Sequence, residues 1–392
     1  MFKRPLNIAV PVAPLKIIAL SSCKELGELV NAHLVKSRKH QISEEHTDLS
    51  ILGYESDSYL VNHNCPRFGS GEAKGEIRES IRGKDLFILI DTVNTTNTYK
   101  MNGELTCTSP DDNFQDLKRI IQACSGQAHR INVIMPFLYE SRQHRRSKLE
   151  SLDCAYALQE LVSMGVSNII TFDAHDPRVQ NAIPIQGFDN FFTSYQFIQA
   201  LFEAEPNIIV NDENTMIISP DEGGMSRSLY YASVLGVNMG MFYKRRDYTQ
   251  VIDGRNPIVA HEYLGNSVEG KDVFIVDDMI SSGESMLDVA LELKKRKARR
   301  VFIAVTYGLF TNGFDKFDKY YKDGIIDRIF TTNLSHVPDG LLKKPYYKNV
   351  DLSKYIALII DTLNNDTSVN EILDPNIRIQ ELLQKHNAKF LK

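Results

Sequence analysis

The sequence lacks cysteine pairs at metal or redox spacing, any apolar run long enough for a membrane, and a large excess of either charge. Each absence removes a class of protein. Cys23, Cys65, Cys107, Cys124 and Cys154 are an odd number with no CxxC pair, which argues against both a disulfide framework and a zinc site. Apolar runs stop after a handful of residues, far short of the ~20 that cross a bilayer. The opening MFKRPLNIAVPVAPLKIIAL is basic and then apolar, but Pro11 and Pro14 interrupt it and no small-residue cleavage site follows. It does not read as a signal peptide. A net charge of −5 offers no footing to a polyanion, so nucleic acid is not an expected partner and any basic cluster is aimed at a small anion. A cytoplasmic protein without membrane contact is expected.

What is present is a regular alternation. A chain of 392 residues holds two domains, or three, each with its own core. LKIIAL (15–20), DLFILIDT, NVIMPF, NIITFDAH, MIISPDEGG and VFIVDD read as strands running into loops, with amphipathic helical segments such as 21–34 and SLDCAYALQELVSMG between them. That pattern predicts α/β domains with largely parallel sheets. GKDLFILIDT from Gly83 and GKDVFIVDDM from Gly270 form an internal repeat, each followed by a loop, an amphipathic helix and another strand. Duplication of one fold explains this better than chance convergence of strand entries. The expected division is 1–185, 186–364 and a helical tail over 365–392. The polar stretches 37–66 and 96–113 read as surface insertions, long for compact loops, either mobile or carrying contacts of their own.

The stretch VFIVDDMISSGES (273–285) carries the chemistry. Met286, Val289, Ala290 and Leu293 have helical spacing, so a helix begins just after SSGES. Its N-terminus favours a phosphate through free N–H groups and the helix dipole. Ser281, Ser282 and Ser285 add hydroxyls, and Gly283 permits a turn that a Cβ would obstruct. Asp277 and Asp278, at the carboxyl end of a strand, suit the vicinal hydroxyls of a ribose. An ordinary capped turn with solvated aspartates fits this stretch alone equally well.

More of the chain adds to it. VDDMISSGES resembles the phosphoribosyl-diphosphate loop of type I phosphoribosyltransferases. RFGSGEAKGEIRESIRGKDLF, MPFLYESRQHRR, TFDAHDPRVQ, SPDEGG, YKRR and VDDMISSGES together are similar, in order and spacing, to ribose-phosphate diphosphokinases, also called phosphoribosyl-pyrophosphate synthetases. The likeness spans about residues 15 to 360. It implies two tandem type I phosphoribosyltransferase-like domains, each a mainly parallel sheet flanked by helices. It also implies transfer of the diphosphate of ATP to the 1-hydroxyl of ribose 5-phosphate, with Mg²⁺ and release of AMP, in a homo-oligomer (dimer or hexamer).

By the resemblance, Arg142, Gln143 and His144 contact ATP, with Phe68, Ser70 and Glu72 reaching its base from a neighbouring subunit. The family's usual aspartates are His144 and Ser70 here. His175 and Asp221 would attend the metal, and Gly223 and Gly224 would let backbone approach the diphosphate. Asp277, Asp278, Ser281, Ser282, Gly283, Glu284 and Ser285 would hold ribose 5-phosphate, with the Glu284 side chain turned outward. Lys244 and Arg246, with His175, would be catalytic, the first two on a loop closing over the transferring group. Ser80 and Arg82 match a regulatory phosphate/ADP site, where Asp91, beside Val93 and Asn94, replaces a usual serine. Weakened or altered regulation by phosphate and ADP is expected; strong activation by inorganic phosphate, with ADP inhibition competed by it, would count against this. Two other readings stay open: a catalytically silent homologue that regulates an active synthetase, and a nucleobase phosphoribosyltransferase.

Overall fold

Buried runs of Ile, Leu, Val and Phe set the architecture, because a strand apolar on both faces must be covered on both. The computed structural model describes residues 10–45, 53–246 and 258–390. They form two compact units. The first holds the described residues up to Phe192 together with Asn333–His336 and Asp351–Leu373; the second holds Thr193–Thr332, Val337–Val350 and the chain from Asp374.

In chain order the first unit begins with β1 (Leu15–Ala19), α1 (Lys24–Glu45), β2 (His63–Asn64), β3 (Glu76–Ile77) and β4 (Asp85–Leu89). It continues with β5 (Thr98–Met101), β6 (Glu104–Cys107), α2 (Pro110–Cys124), β7 (Arg130–Ile134), α3 (Asp153–Ser163), β8 (Asn168–Phe172) and β9 (Gly187–Phe191). Its main sheet runs β1-β4-β7-β8-β9, all parallel. On the free side of β1 the segment around Leu60 adds a further parallel pairing: Ile17 N–H donates to the Tyr59 carbonyl, and Val61 N–H to that of Ile17.

The second unit comprises α4 (Ser194–Ala204), β10 (Thr215–Ser219), α5 (Met225–Leu235), β11 (Asn238–Arg246), β12 (Ile258–Leu264), β13 (Asp272–Ile280), α6 (Glu284–Lys295) and β14 (Arg300–Gly308). Then follow α7 (Asp315–Lys322), β15 (Arg328–Thr332), α8 (Asp339–Leu342) and β16 (Tyr347–Val350). Its sheet runs β12-β11-β10-β13-β14-β15-β16, parallel except for the edge pair β11–β12. α9 (Ser353–Asn364) and α10 (Asn370–Leu373) return to the first unit, and α11 (Asn376–Asn387) packs on α4 and α5 of the second.

The duplication is visible in topology and in one buried contact. Each unit places its first strand between a second strand on one side and the remainder on the other. Asp85 opens β4 fully buried, bonded by Arg130 at the start of β7 at 2.8 and 2.7 Å. Asp272 opens β13 fully buried, bonded by Arg300 at the start of β14 at 3.0 and 2.7 Å. Both pairs occupy the same strand register, Asp85 opposite Arg130 and Asp272 opposite Arg300.

Several local expectations change. The helix expected over 21–34 is longer: α1 runs on to Glu45, through the start of the polar stretch 37–66. The stretch 96–113 is not irregular. It forms the antiparallel hairpin β5–β6 and then the first turn of α2, where Ser109 and Asp112 cap each other. Among the described residues no helix is long and apolar enough to cross a membrane.

Candidate active site

In the second unit β10 and β13 are neighbours from which the chain winds in opposite directions. Loops leaving the carboxyl ends of such strands diverge and open a crevice, the usual ligand position in an open α/β sheet. Two loops meet there, Pro220–Gly224 after β10 and Ser281–Gly283 after β13.

Asp277 and Asp278 are not at the tip of β13. Its ladder continues past them, with Met279 opposite Tyr307 and Ile280 opposite Gly308, so the aspartates are held by a paired strand rather than a loop. Asp278 is buried and Asp277 is half-buried. Burial, followed by the adjacent Asp278 charge, pushes the Asp277 carboxyl up to about 8, against the opposing pull of Arg227. Arg227, in the first turn of α5, reaches Asp277 at 3.6 Å. The Asp221 carboxylate accepts from Gly223 N–H at 2.9 Å and raises Asp277 further. Gly224 lies against this cluster: a Cβ on it would stand 3.4 Å from the Asp277 carboxylate and 3.1 Å from Ser219 Oγ.

The second loop depends on Gly283. Its φ of +82° is left-handed, and a Cβ there would come 2.2 Å from the ring of fully buried Phe317. Ser281 and Ser282 are half-buried and Ser285 is exposed. Glu284 is exposed and paired with Lys316 of α7 at 2.5 Å, a contact that lowers its carboxyl's affinity for a proton.

In the first unit, Gln143 donates to the Ser151 carbonyl at 2.7 Å and Arg142 is exposed. His144 folds inward, edge-on to His175 with ring centroids 5.3 Å apart, and its Nε2 is 3.5 Å from Asp176. Arg178 is the main reason the Asp176 carboxyl falls to about 2. His175 itself is exposed, beyond β8 and the left-handed Asp173 (φ +42°). Phe68, Ser70 and Glu72 form an exposed turn closed by Phe68 N–H to the Glu72 carbonyl, with Ser70 Oγ donating to Glu72 at 2.8 Å. No hydrogen bond or ring contact among the described residues joins this turn to Arg142, Gln143 or His144. Asn102 N–H donates to the Gly69 carbonyl, so the β5–β6 hairpin buttresses the turn.

Lys244 and Arg246 belong to β11, where Lys244 pairs with His261 of β12; they are not in a free loop. Their side chains, and residues 247–257 of the expected catalytic loop, lie outside the described residues. Asp91 is buried and accepts from the N–H groups of Val93 and His336. Ser80 and Arg82 precede β4 and Asp91 follows it, so the strand separates them along the chain. Arg227 joins the cluster at Asp277 without having been expected there. Its only signal is a position four residues after Gly223, in the first turn of a helix leaving the site.

Two family models match the chain: the N-terminal domain of ribose phosphate pyrophosphokinase over residues 15–165, and the phosphoribosyl transferase domain over residues 190–342. A ribose-phosphate pyrophosphokinase of Vibrio parahaemolyticus is 27% identical over 320 residues, covering 80% of this chain and 92% of its own. One of Mycoplasma genitalium is 27% identical over 326 residues, covering 82% and 89%. The crystal structure of phosphoribosylpyrophosphate synthetase from Mycobacterium smegmatis aligns with a TM-score of 0.70 at 19% identity, over 90% of this chain and 99% of that one, which identifies the fold as two tandem phosphoribosyltransferase-like domains. With both domains matched in order and the duplicated architecture in place, the chain belongs to the ribose-phosphate pyrophosphokinase family of enzymes.

Proposed function

We propose that the chain transfers the diphosphate of ATP to the 1-hydroxyl of ribose 5-phosphate, yielding phosphoribosyl diphosphate and AMP. The observation that carries this reading is the carboxylate pair on β13 beside a left-handed Gly283 that opens α6. Two carboxyl groups face the ribose hydroxyls, and a helix start with three serines faces the phosphate. Asp277 and Asp278 orient the sugar, and Gly223 and Gly224 leave room for its diphosphate.

Among the described residues no three His, Cys, Asp or Glu side chains form a ready-made metal cluster, so a divalent cation here would be held mainly by phosphate oxygens. Asp221, Asp277 and Asp278 concentrate more negative charge than Arg227 offsets, and burial raises the cost of keeping it. Mg²⁺ takes few protein ligands and many phosphate oxygens, so Asp221 would hold it in the second unit, and His175 of the first unit is a metal contact only by the family resemblance. Bound there, it would supply neutralisation of the transferring phosphates. Arg142, Gln143 and His144 would hold the nucleotide, and Phe68, Ser70 and Glu72 its base in a homo-oligomer. Lys244 and Arg246 would add positive charge to the transition state.

The test is purified protein with Mg-ATP and ribose 5-phosphate, following AMP. AMP that appears only with the sugar present supports the proposal. No AMP under these conditions, with restoration of activity in a second, active synthetase on mixing, would assign the chain to the silent class instead. Turnover of phosphoribosyl diphosphate with a nucleobase would make it a transferase.

A further inference from the structure

We propose that the first unit has a ligand site of its own, for a small phosphate-bearing metabolite, at the topological counterpart of the ribose-phosphate crevice. β1 lies between the parallel segment around Leu60 and β4, as β10 lies between β11 and β13. Loops leaving β1 and β4 therefore diverge at their carboxyl ends, as they do in the second unit. A cavity of about 770 Å³ stands at that point, large enough for a nucleotide or sugar phosphate. Its floor is Ala19 and Leu20 at the exit of β1, and its wall is the base of the β5–β6 hairpin.

The lining points to the ligand's chemistry. Lys24 and Lys100 bring two exposed ammonium groups, Lys24 only loosely paired with Glu28 at 4.0 Å. The acidic neighbour Asp116 is already neutralised by Arg67 and Arg119. Thr108 is more than nine-tenths buried, lines the cavity, and its Oγ1 has no hydrogen-bond partner; neither does the amide nitrogen of Asn97 beside it. A buried hydroxyl without a partner is costly unless a ligand supplies one. The sugar clamp is absent: Ile90 stands where the second unit has Asp277, and Asp91 is spent on backbone N–H groups. The site therefore recognises charge and hydrogen-bonding groups rather than vicinal hydroxyls.

The experiment uses AMP as probe, with inorganic phosphate as competitor, on the full chain. Calorimetric titration of the wild type is expected to show two AMP sites per chain. Lys24→Glu with Lys100→Glu should weaken one of them at least tenfold and leave AMP release from ATP unchanged. Thr108→Val, which keeps shape and charge, should weaken the same site several-fold. Inorganic phosphate should displace AMP from it. A single AMP site in the wild type, or two sites indifferent to all three substitutions, would overturn the proposal. Because the readout is binding at a place separate from the carboxylate pair, its failure is distinguishable from failure of the diphosphate-transfer reading.

Discussion

Single residues in the second unit carry two separable costs. Gly283 adopts a backbone conformation that a Cβ resists, and the Cβ would also collide with Phe317. Gly283→Ala should cost roughly 1–3 kcal/mol, read as a fall of several degrees in melting temperature, and should weaken ribose 5-phosphate binding. Unchanged melting and binding would show that the loop tolerates a different path. Asp277 costs stability in another way. Its folded carboxyl is raised to about 8, well above the usual carboxylate range, so the folded state binds this proton more tightly than the unfolded chain. Stability contributed by the group is present at low pH and lost as pH rises towards 8. Asp277→Asn should therefore raise the melting temperature more at pH 8.5 than at pH 4.5, while activity falls. An equal change at both pH values would contradict the assignment. Asp277, Asp278 and Gly283 were legible in the sequence because strand, carboxylates and turn are contiguous there. Arg227 was not, since nothing local distinguishes it from any arginine on a helix.

Elements were legible where apolar periodicity marked them, and misjudged where polar residues do the packing. Leu26, Val30 and Leu34 line one face of α1, and the next position on that face is Arg38. A reading by hydrophobicity stops at Leu34; the helix does not. Arg38 is 1% exposed, bonded to Asp361 at 3.0 Å and to Asn364 at 2.7 Å on α9, with its guanidinium near the rings of Tyr54 and Tyr59. Removing one member of such a pair strands a buried charge, at a cost of about 3–5 kcal/mol. Asp361→Ala should shift the urea midpoint accordingly, and double replacement with Arg38→Met should recover much of the loss. Equal destabilisation by the single and double variants would show that the ion pair is not the cause. The β5–β6 hairpin had a signal that hydrophobicity hides: Asn102-Gly103, both at positive φ, is the two-residue turn that matches strand twist.

At the scale of the whole chain, the duplication was legible from one repeated strand entry, and the Asp85–Arg130 and Asp272–Arg300 pairs give it a physical basis. What sequence order could not convey is the return of α9 and α10 to the first unit, because the contacts that decide it, such as Arg38 with Asp361, join residues hundreds of positions apart. The residues proposed for each substrate are built by separate units: Arg142, Gln143 and His144 by the first, Asp277, Asp278 and Gly283 by the second. Substrate affinities should then separate cleanly under mutation. Gln143→Ala should raise KM for ATP about tenfold with KM for ribose 5-phosphate unchanged, and Asp278→Asn should do the reverse, since loss of a binding contact appears in the KM of the substrate it touches. Initial-rate measurements varying each substrate in turn decide the matter. If either substitution moved both constants together, each unit would be acting on the other's substrate, and the division of labour between the duplicated halves would have to be abandoned.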